Sequence, residues 1–284
     1  MMGRCDCHIH MILDGSDWRA AIARHSIRPD DAFIHRILKN YQQDGYTYLR
    51  DGGDRWNAAK RARELAADYG IRYRTPLANL CHRGHYGGFI GEKYENLREY
   101  ADLVEKHRSD GADFIKVMIS GLMDFDRFGQ LSEEGLPPAE IRELVHIAHE
   151  EGFAIMAHAN GARTMEAAAM AGMDSIEHGA YADRDALCAM AESGTVWVPT
   201  TSAVRNLLGK GRFNEDAVAA ISAHTAENLR QFAAMGGLIA CGSDAGAWAV
   251  PHGCNTEEAH LHQILGDDAP RILTQGNQII MDKF

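Results

Sequence analysis

The chain has 284 residues, of which 45% are apolar and 24% charged, and its formal net charge is −11 at pH 7. This composition excludes a disordered chain, and because no linker-like stretch divides it we interpret residues 1–284 as a single domain. The acidic balance argues against a nucleic-acid partner, which needs basic patches to neutralise phosphates. No run of about 18 apolar residues occurs, so the sequence predicts no membrane span.

The N-terminus and the cysteines favour a cytoplasmic protein. The first residues lack the apolar core of a signal peptide. The six cysteines are dispersed, several of them in strand-like runs, and a chain of this length needs no disulfides to stabilise its core. We therefore expect reduced thiols.

The chain opens with a predicted strand at residues 5–10 that carries two histidines, His8 and His10. Residues i and i+2 of a strand project to the same face, so the two imidazoles would lie side by side. A His-x-His pair is half of a metal site, although each ring alone is equally compatible with an ordinary core histidine.

A repeating order of strand, loop and helix follows. Further strands are predicted at residues 46–50, 71–77, 114–118, 153–157, 174–177, 195–198 and 238–241. Helices are predicted at residues 30–44, 58–69, 94–108, 139–151, 162–171, 184–192, 215–235 and 256–265, with Asn57 as the N-cap of the second. Eight such units predict an α/β protein, a closed (β/α)8 TIM barrel. A doubly wound open sheet is the alternative, but no Gly-x-Gly-x-x-Gly motif follows the first strand.

Chemistry in such barrels lies at the carboxyl ends of the strands. Metal-competent side chains are found there on five predicted strands: His8, His10, Lys116, His158, His178 and Asp244. Each has an ordinary explanation when it is taken alone, as a buried lysine paired with a carboxylate, a packed histidine or an aspartate N-cap. Their recurrence across five strands favours a metal site.

Together these stretches resemble the metal-dependent amidohydrolase superfamily, and within it the branch of Xaa-Pro dipeptidase-like and imidazolonepropionase-related enzymes. The matching stretches are Asp6-Cys7-His8-Ile9-His10, Phe114-Ile115-Lys116, Ile119-Ser120-Gly121, Met156-Ala157-His158-Ala159-Asn160-Gly161, Ser175-Ile176-Glu177-His178-Gly179 and Gly242-Ser243-Asp244-Ala245-Gly246. The resemblance spans nearly the whole chain.

The resemblance implies a binuclear hydrolase. Its ligands would be His8, His10 and Asp244 for one metal ion, His158 and His178 for the second, and a carboxylated Lys116 as the bridge. Nitrogen and oxygen ligands suit zinc, with manganese, cobalt or iron as alternatives. A metal-bridging hydroxide would attack a carbonyl, with Asp244 as the catalytic base and acid. We expect the substrate to be a small molecule with an amide-like bond (a peptide, an N-acyl amino acid or a cyclic amide) or a lactone or ester bond.

Two other functions stay open at this point. A mononuclear deaminase or cyclic-amidine hydrolase would hold one metal ion and leave Lys116 uncarboxylated, but such sites usually add a Glu or His base for which no motif matches. A non-catalytic metal-binding barrel would keep the ligands and turn over no substrate.

Substrate-binding residues are predicted on three loops. His85 lies in Gly84-His85-Tyr86-Gly87, which resembles the Gly-Gly-His-Gly loop of the dipeptidase-like branch, where the histidine contacts the carbonyl region of the substrate. Tyr181 would donate a hydrogen bond to a tetrahedral oxyanion, and His252 on the last loop is a further candidate. Candidates for binding a substrate carboxylate are Arg83, Arg127 and Arg205.

Many relatives also carry a small β-sandwich built from both termini. Here the first strand begins near residue 4, and 19 residues follow residue 265 of the 284. We therefore expect the sandwich to be absent, which would expose barrel surface and favour a homo-oligomer.

Overall fold

A computed structural model describes residues 3–284, so the predicted domain begins two residues outside the described range. The strands are β1 (Arg4–Ile9), β2 (Tyr46–Asp51), β3 (Arg72–Arg74), β4 (Leu80–His82), β5 (Glu92–Tyr94), β6 (Ile115–Met118), β7 (Ile155–Ala159), β8 (Ser175–His178) and β9 (Val196–Val198). The helices are α1 (Trp18–His25), α2 (Asp31–Gln43), α3 (Ala58–Ala66), α4 (Leu97–Ser109), α5 (Pro138–Glu150), α6 (Ala162–Met170), α7 (Arg184–Ser193), α8 (Ser202–Arg205), α9 (Glu215–Ala234), α10 (Thr256–Leu265) and α11 (Ala269–Lys283).

The strands form two parallel sheets, ordered β1-β2-β3 and β5-β4-β6-β7-β8-β9. Every residue of β6, β7 and β8 is buried. Burial on both faces is expected when helices cover a parallel sheet, because each crossover between parallel strands places a helix against it. The prediction of an α/β fold is thereby confirmed.

The segment 238–245 lies between β9 and β1 and carries the predicted eighth strand as isolated bridges only. The N–H of Trp197 in β9 donates to the carbonyl of Leu238 at 2.8 Å, and the N–H of Cys7 in β1 donates to the carbonyl of Cys241 at 2.8 Å. This segment therefore connects one edge of each sheet.

The predicted third strand, residues 71–77, is shorter in the structure. It ends at Arg74 because Pro76 has no N–H to donate and Leu77 has a left-handed φ of 67°. The chain then resumes as β4 and β5, which were not predicted as strands, and the last residue of β5 is Tyr94, where a helix was predicted to begin. Near this break the N–H of Asp113, just before β6, donates to the carbonyl of Thr75 at 3.0 Å.

Asn57 is not the side-chain cap of α3, contrary to the prediction. Its φ of 65° is left-handed and its side chain makes no capping hydrogen bond. The Asp54 carboxylate instead accepts from the N–H groups of Ala58 and Ala59, at 3.1 and 2.8 Å. The helix begins at Ala58 as predicted, but Asp54, three positions before Asn57, accepts the hydrogen bonds from its first backbone N–H groups.

Helix α11 was not predicted as an element. The run Gln275-Gly276-Asn277 obscured its helical period, yet Gly276 has a packing role: a Cβ there would clash with the backbone carbonyl of Ile239. Asn277 Oδ1 accepts from the N–H of Cys241 at 2.8 Å, which fastens α11 to the segment 238–245. None of the helices among residues 3–284 combines the length and the apolar character that crossing a membrane requires.

Candidate metal centre and cavity

The six predicted ligands lie together at the carboxyl ends of the strands. His8 is in β1 and His10 follows it, Lys116 is in β6, His158 is in β7, His178 ends β8, and Asp244 is on the segment after Ile239. Parallel pairing produces this arrangement, since Met118 is opposite His158 and Ala159 is opposite His178 in the register. All six are buried except His10, which is half-buried.

His8, His10 and Asp244 form the tightest group. One ligand atom from each lies within 4.8 Å of the others. His8 Nε2 is 3.3 Å from His10 Nε2, and Asp244 Oδ1 is 3.5 Å from the first and 3.3 Å from the second. Two imidazole nitrogens and a carboxylate oxygen that converge in this way match the ligand types of a divalent metal ion.

His158 and His178 form the second group, with ring centroids 4.6 Å apart. His158 donates from Nε2 to the carbonyl of Gly121 at 3.1 Å, and His178 Nδ1 pairs with Thr200 Oγ1 at 2.7 Å. These bonds leave Nδ1 of His158 and Nε2 of His178 as the nitrogens available to a ligand. Burial lowers the pKa of His158 to about 3 and that of His178 well below its usual range, so both rings are neutral, as metal binding requires.

Lys116 lines the same cavity, and its Nζ is fully buried and has no hydrogen-bond partner among residues 3–284. Burial lowers the pKa of this amine to about 8. An uncompensated ammonium at such a position is costly, whereas carboxylation removes the positive charge and supplies two anionic oxygens that can bind metal ions. The orphaned amine therefore fits a carboxylated, metal-bridging lysine.

Glu177 fixes the orientation of His8, and the sequence interpretation missed it. Its Oε2 accepts from His8 Nδ1 at 2.6 Å, while Oε1 accepts from Arg50 at 2.8 Å and from Ser175 Oγ at 2.7 Å. Burial and the nearby Lys116 lower the pKa of His8, so the ring is neutral and presents Nε2 to His10 and Asp244. The alternation of Ser175 and Glu177 with Ile176 along a predicted strand was the signal that could have identified this carboxylate as inward-facing.

Asp6 holds the loop that carries Asp244. Its carboxylate accepts from the N–H of Ser243 at 2.8 Å and from Ser243 Oγ at 2.6 Å. Asp244 itself has a left-handed φ of 61°. The hydrogen bonds from Ser243 hold this uncommon backbone conformation in place.

The three predicted substrate-binding residues lie outside the lining of the cavity above these ligands. His252 is buried, donates from Nε2 to the carbonyl of Leu13 at 3.0 Å and has Nδ1 3.2 Å from Tyr41 Oη. Both of its ring nitrogens are thus used within the protein, which disagrees with the predicted substrate contact and makes it a support for the loop. His85 Nδ1 is 3.5 Å from Glu133 Oε1, and the Tyr181 ring packs against Phe128; both remain predictions as substrate contacts.

The cavity has a volume of about 420 Å³ and is bordered by two aromatic walls that the sequence interpretation missed. The first aromatic wall is Trp18, Tyr86 and Phe89, and the second aromatic wall is Phe125, Phe213 and Trp248. Neighbouring rings within each wall have centroids 5.1 to 6.2 Å apart. No local pattern marks these residues, because the start of α1 and the loops that carry the other rings are brought together only by the fold.

Comparison with known proteins gives one family and several related structures. The model of the amidohydrolase family matches residues 1–263. An ochratoxinase of Aspergillus niger is 28% identical over 252 residues, which is 76% of this chain and 51% of that protein. The chain therefore spans about half the length of the curated relatives it matches.

The solved structures share the fold. A Xaa-Pro dipeptidase with bound methionine in the active site superposes with a TM-score of 0.79 at 23% identity, over 99% of this chain and 76% of that one. The Aspergillus niger ochratoxinase superposes with a TM-score of 0.75 at 22% identity, over 99% and 69%. The resemblance stated from the sequence motifs is confirmed.

Proposed function

The chain belongs to the amidohydrolase family, and from that premise we propose that it hydrolyses an amide bond of a small molecule with two bound divalent metal ions. The observation that carries the proposal is that imidazole, carboxylate and amine groups from five strand regions line one cavity, where His8, His10 and Asp244 lie close enough to share a metal ion. The related ochratoxinase and Xaa-Pro dipeptidase are also named for the cleavage of small molecules.

The ligands divide naturally between two ions. His8, His10 and Asp244 would hold the first ion, and His158 with His178 the second. Carboxylated Lys116 would lie between them, since its orphaned nitrogen is buried among these rings. Zinc suits this donor set best. When bound, such ions would supply polarisation of the substrate carbonyl and a lowered pKa for a bound water molecule.

Asp244 is the proposed proton carrier. The water oxygen bonds to the acyl carbon, the carbon–nitrogen bond breaks, and the water proton passes through the Asp244 carboxylate to the departing nitrogen. His8 is held in one orientation by Glu177, so the ligand geometry needs little rearrangement. A lactone or ester would react in the same way, with an oxygen leaving group.

The proposed architecture is a closed (β/α)8 barrel formed by a single domain. The hydrogen bonds between Trp197 and Leu238, between Cys7 and Cys241, and between Asp113 and Thr75 support closure, because they link the two sheets at both sides. The six free cysteines support a reducing compartment such as the cytoplasm.

Metal analysis tests this function directly. Zinc, manganese, iron and cobalt would be counted per chain in the native protein, in Lys116→Ala, and in Lys39→Ala as an exposed-lysine control on α2. We expect about two ions per chain in the native protein and the control, and fewer in Lys116→Ala. One ion that is unaffected by Lys116→Ala would favour the mononuclear deaminase instead. Two ions without cleavage of any dipeptide, N-acyl amino acid or lactone would favour a non-catalytic metal-binding protein.

A further inference from the structure

Arg212 lines the cavity and is free to bind an anion. Its guanidinium carbon lies 4.5 Å from the centroid of the Trp248 ring and 5.2 Å from that of Phe213, both in the second aromatic wall. Within residues 3–284 the guanidinium makes no ion pair and no hydrogen bond. Apart from Lys116, which belongs to the metal centre, it is the only lysine or arginine of the described chain on the cavity lining.

The three arginines suggested by the sequence are occupied elsewhere. Arg83 pairs with Glu95, Arg127 is 3.1 Å from Asp124 and Arg205 donates to the carbonyl of Thr256. None of the three lines the cavity. Arg212 instead lies on the cavity lining, in the segment between α8 and α9.

Stacking on the rings of Phe213 and Trp248 positions the guanidinium of Arg212 and leaves its N–H groups free to donate hydrogen bonds. A ring beneath the guanidinium face attracts the cation and restricts its rotation, while the N–H groups remain directed outward in the plane. That edge matches both oxygens of a carboxylate. The two aromatic walls present apolar surface to the rest of a ligand. A largely apolar cavity with one free cation therefore selects an anionic ligand with bulky apolar groups.

We infer that Arg212 binds the carboxylate of the substrate, and that the substrates are amides with a free carboxylate and large apolar groups, of which N-acyl aromatic amino acids are the simplest. The inference rests on the proposed hydrolase function. It adds a specificity-determining residue that lies outside the metal centre.

Binding measurements test it independently of turnover. Calorimetry would compare N-benzoyl-L-phenylalanine with its carboxamide, which has the same shape and no charge, on zinc-loaded and on chelated protein. We expect native protein to bind the acid about tenfold more tightly than the carboxamide in both forms, as a charge-assisted hydrogen bond provides. Arg212→Gln should abolish the preference in the chelated protein, Arg212→Lys should retain part of it, and Arg127→Gln should leave it unchanged.

Three results would overturn the inference: no preference in native protein, a preference that survives Arg212→Gln in the chelated form, or no binding of either ligand. Hydrolysis is measured separately on the zinc-loaded protein. If neither ligand is cleaved but the Arg212-dependent preference holds, the hydrolase proposal loses support and the carboxylate site stands. If acid and carboxamide are cleaved equally well by native protein and by Arg212→Gln, the hydrolase stands and Arg212 has no role in selectivity.

Discussion

The two ends of the parallel strands are built on different principles. At the carboxyl ends, Lys116 Nζ is buried with no hydrogen-bond partner in the described part of the chain, and His178, Thr200 and Asp244 have left-handed φ angles of 67°, 46° and 61°. At the amino ends, apolar side chains and thiols pack against α11, and the ring of Phe284 closes the cluster. Left-handed backbone at non-glycine residues costs about 1–3 kcal/mol each. The contrast indicates that packing at the amino ends stabilises the fold. This stabilisation offsets the cost of the strained backbone and the buried amine at the carboxyl ends, where the candidate site lies.

Arg50 joins the two regions. It is fully buried, donates to Glu177 on the side of the candidate metal centre, and has its guanidinium carbon 4.4 Å from the centroid of the Phe284 ring on the other side. Glu177 in turn holds His8. A substitution at Arg50 should therefore affect both ends of the strands. A substitution at the carboxyl ends or at the amino ends should affect only the end where it is made.

Asp244→Asn should have the largest effect on activity, and this effect should be limited to the carboxyl ends. Asparagine tolerates the left-handed backbone but is a poor proton carrier and a weaker ligand. We expect kcat/KM on the best amide substrate to fall about 10⁴-fold, with the unfolding free energy unchanged within about 0.5 kcal/mol. Asp185→Asn on α7 is the control. Activity within tenfold of native would remove Asp244 from the reaction.

Arg50→Met should have the largest effect on stability. It leaves the buried Glu177 carboxylate without its cation, which costs about 3–5 kcal/mol. Urea unfolding would measure the loss, and the double variant Arg50→Met with Glu177→Gln should recover part of it, because no buried charge then remains. Strictly additive effects of the two changes would contradict a coupled pair.

The sequence was most informative where function depends on residues adjacent in the chain. His8 lies in β1 and His10 follows it directly, and His158, His178 and Asp244 each belong to a short motif, so pattern and resemblance together pointed to residues that the fold brings to one cavity. The α/β order of elements followed from the same local periodicity. These predictions needed no knowledge of long-range contacts.

Features that depend on distant contacts were not predicted. Arg50 reaches Glu177 across 127 positions of the chain, and neither residue identifies the other locally. Arg212 was missed because its surroundings are set by Phe213 together with Trp248 on another loop. The end of β3 at Arg74 was missed because a strand pattern continued past the proline. In each case the fold, through packing of separate segments, determined the outcome.

Phe284→Ala should weaken the packing at the amino ends of the strands and leave the carboxyl ends unchanged. The side chain is buried and its ring centroid lies 5.2 Å from that of Phe114, so its removal leaves a cavity costing about 3 kcal/mol. Chemical unfolding would detect this loss while zinc content and kcat/KM stay within about twofold of native. Ile27→Ala, at a residue 97% exposed, should change neither quantity. A large loss of zinc in folded Phe284→Ala would show that the two ends are coupled more strongly than Arg50 alone explains.

Glu92→Gln should have the smallest effect on stability, because it alters an ion pair on the outer surface that belongs to neither end of the strands. Hydrogen bonds from His107 and Lys106 lower the pKa of Glu92 to about 2. A carboxyl group with a lowered folded-state pKa stabilises the protein above its unfolded value near 4.5, and this contribution disappears as the pH falls toward 2. Because the carboxylate is partly solvated, we expect only about 1 kcal/mol at pH 7. The unfolding free energies of native protein and Glu92→Gln should therefore differ at pH 7 and converge as the pH falls from about 4.5 toward 2. A difference that stays constant from pH 7 to pH 3 would mean that Glu92 acts through packing and not through charge.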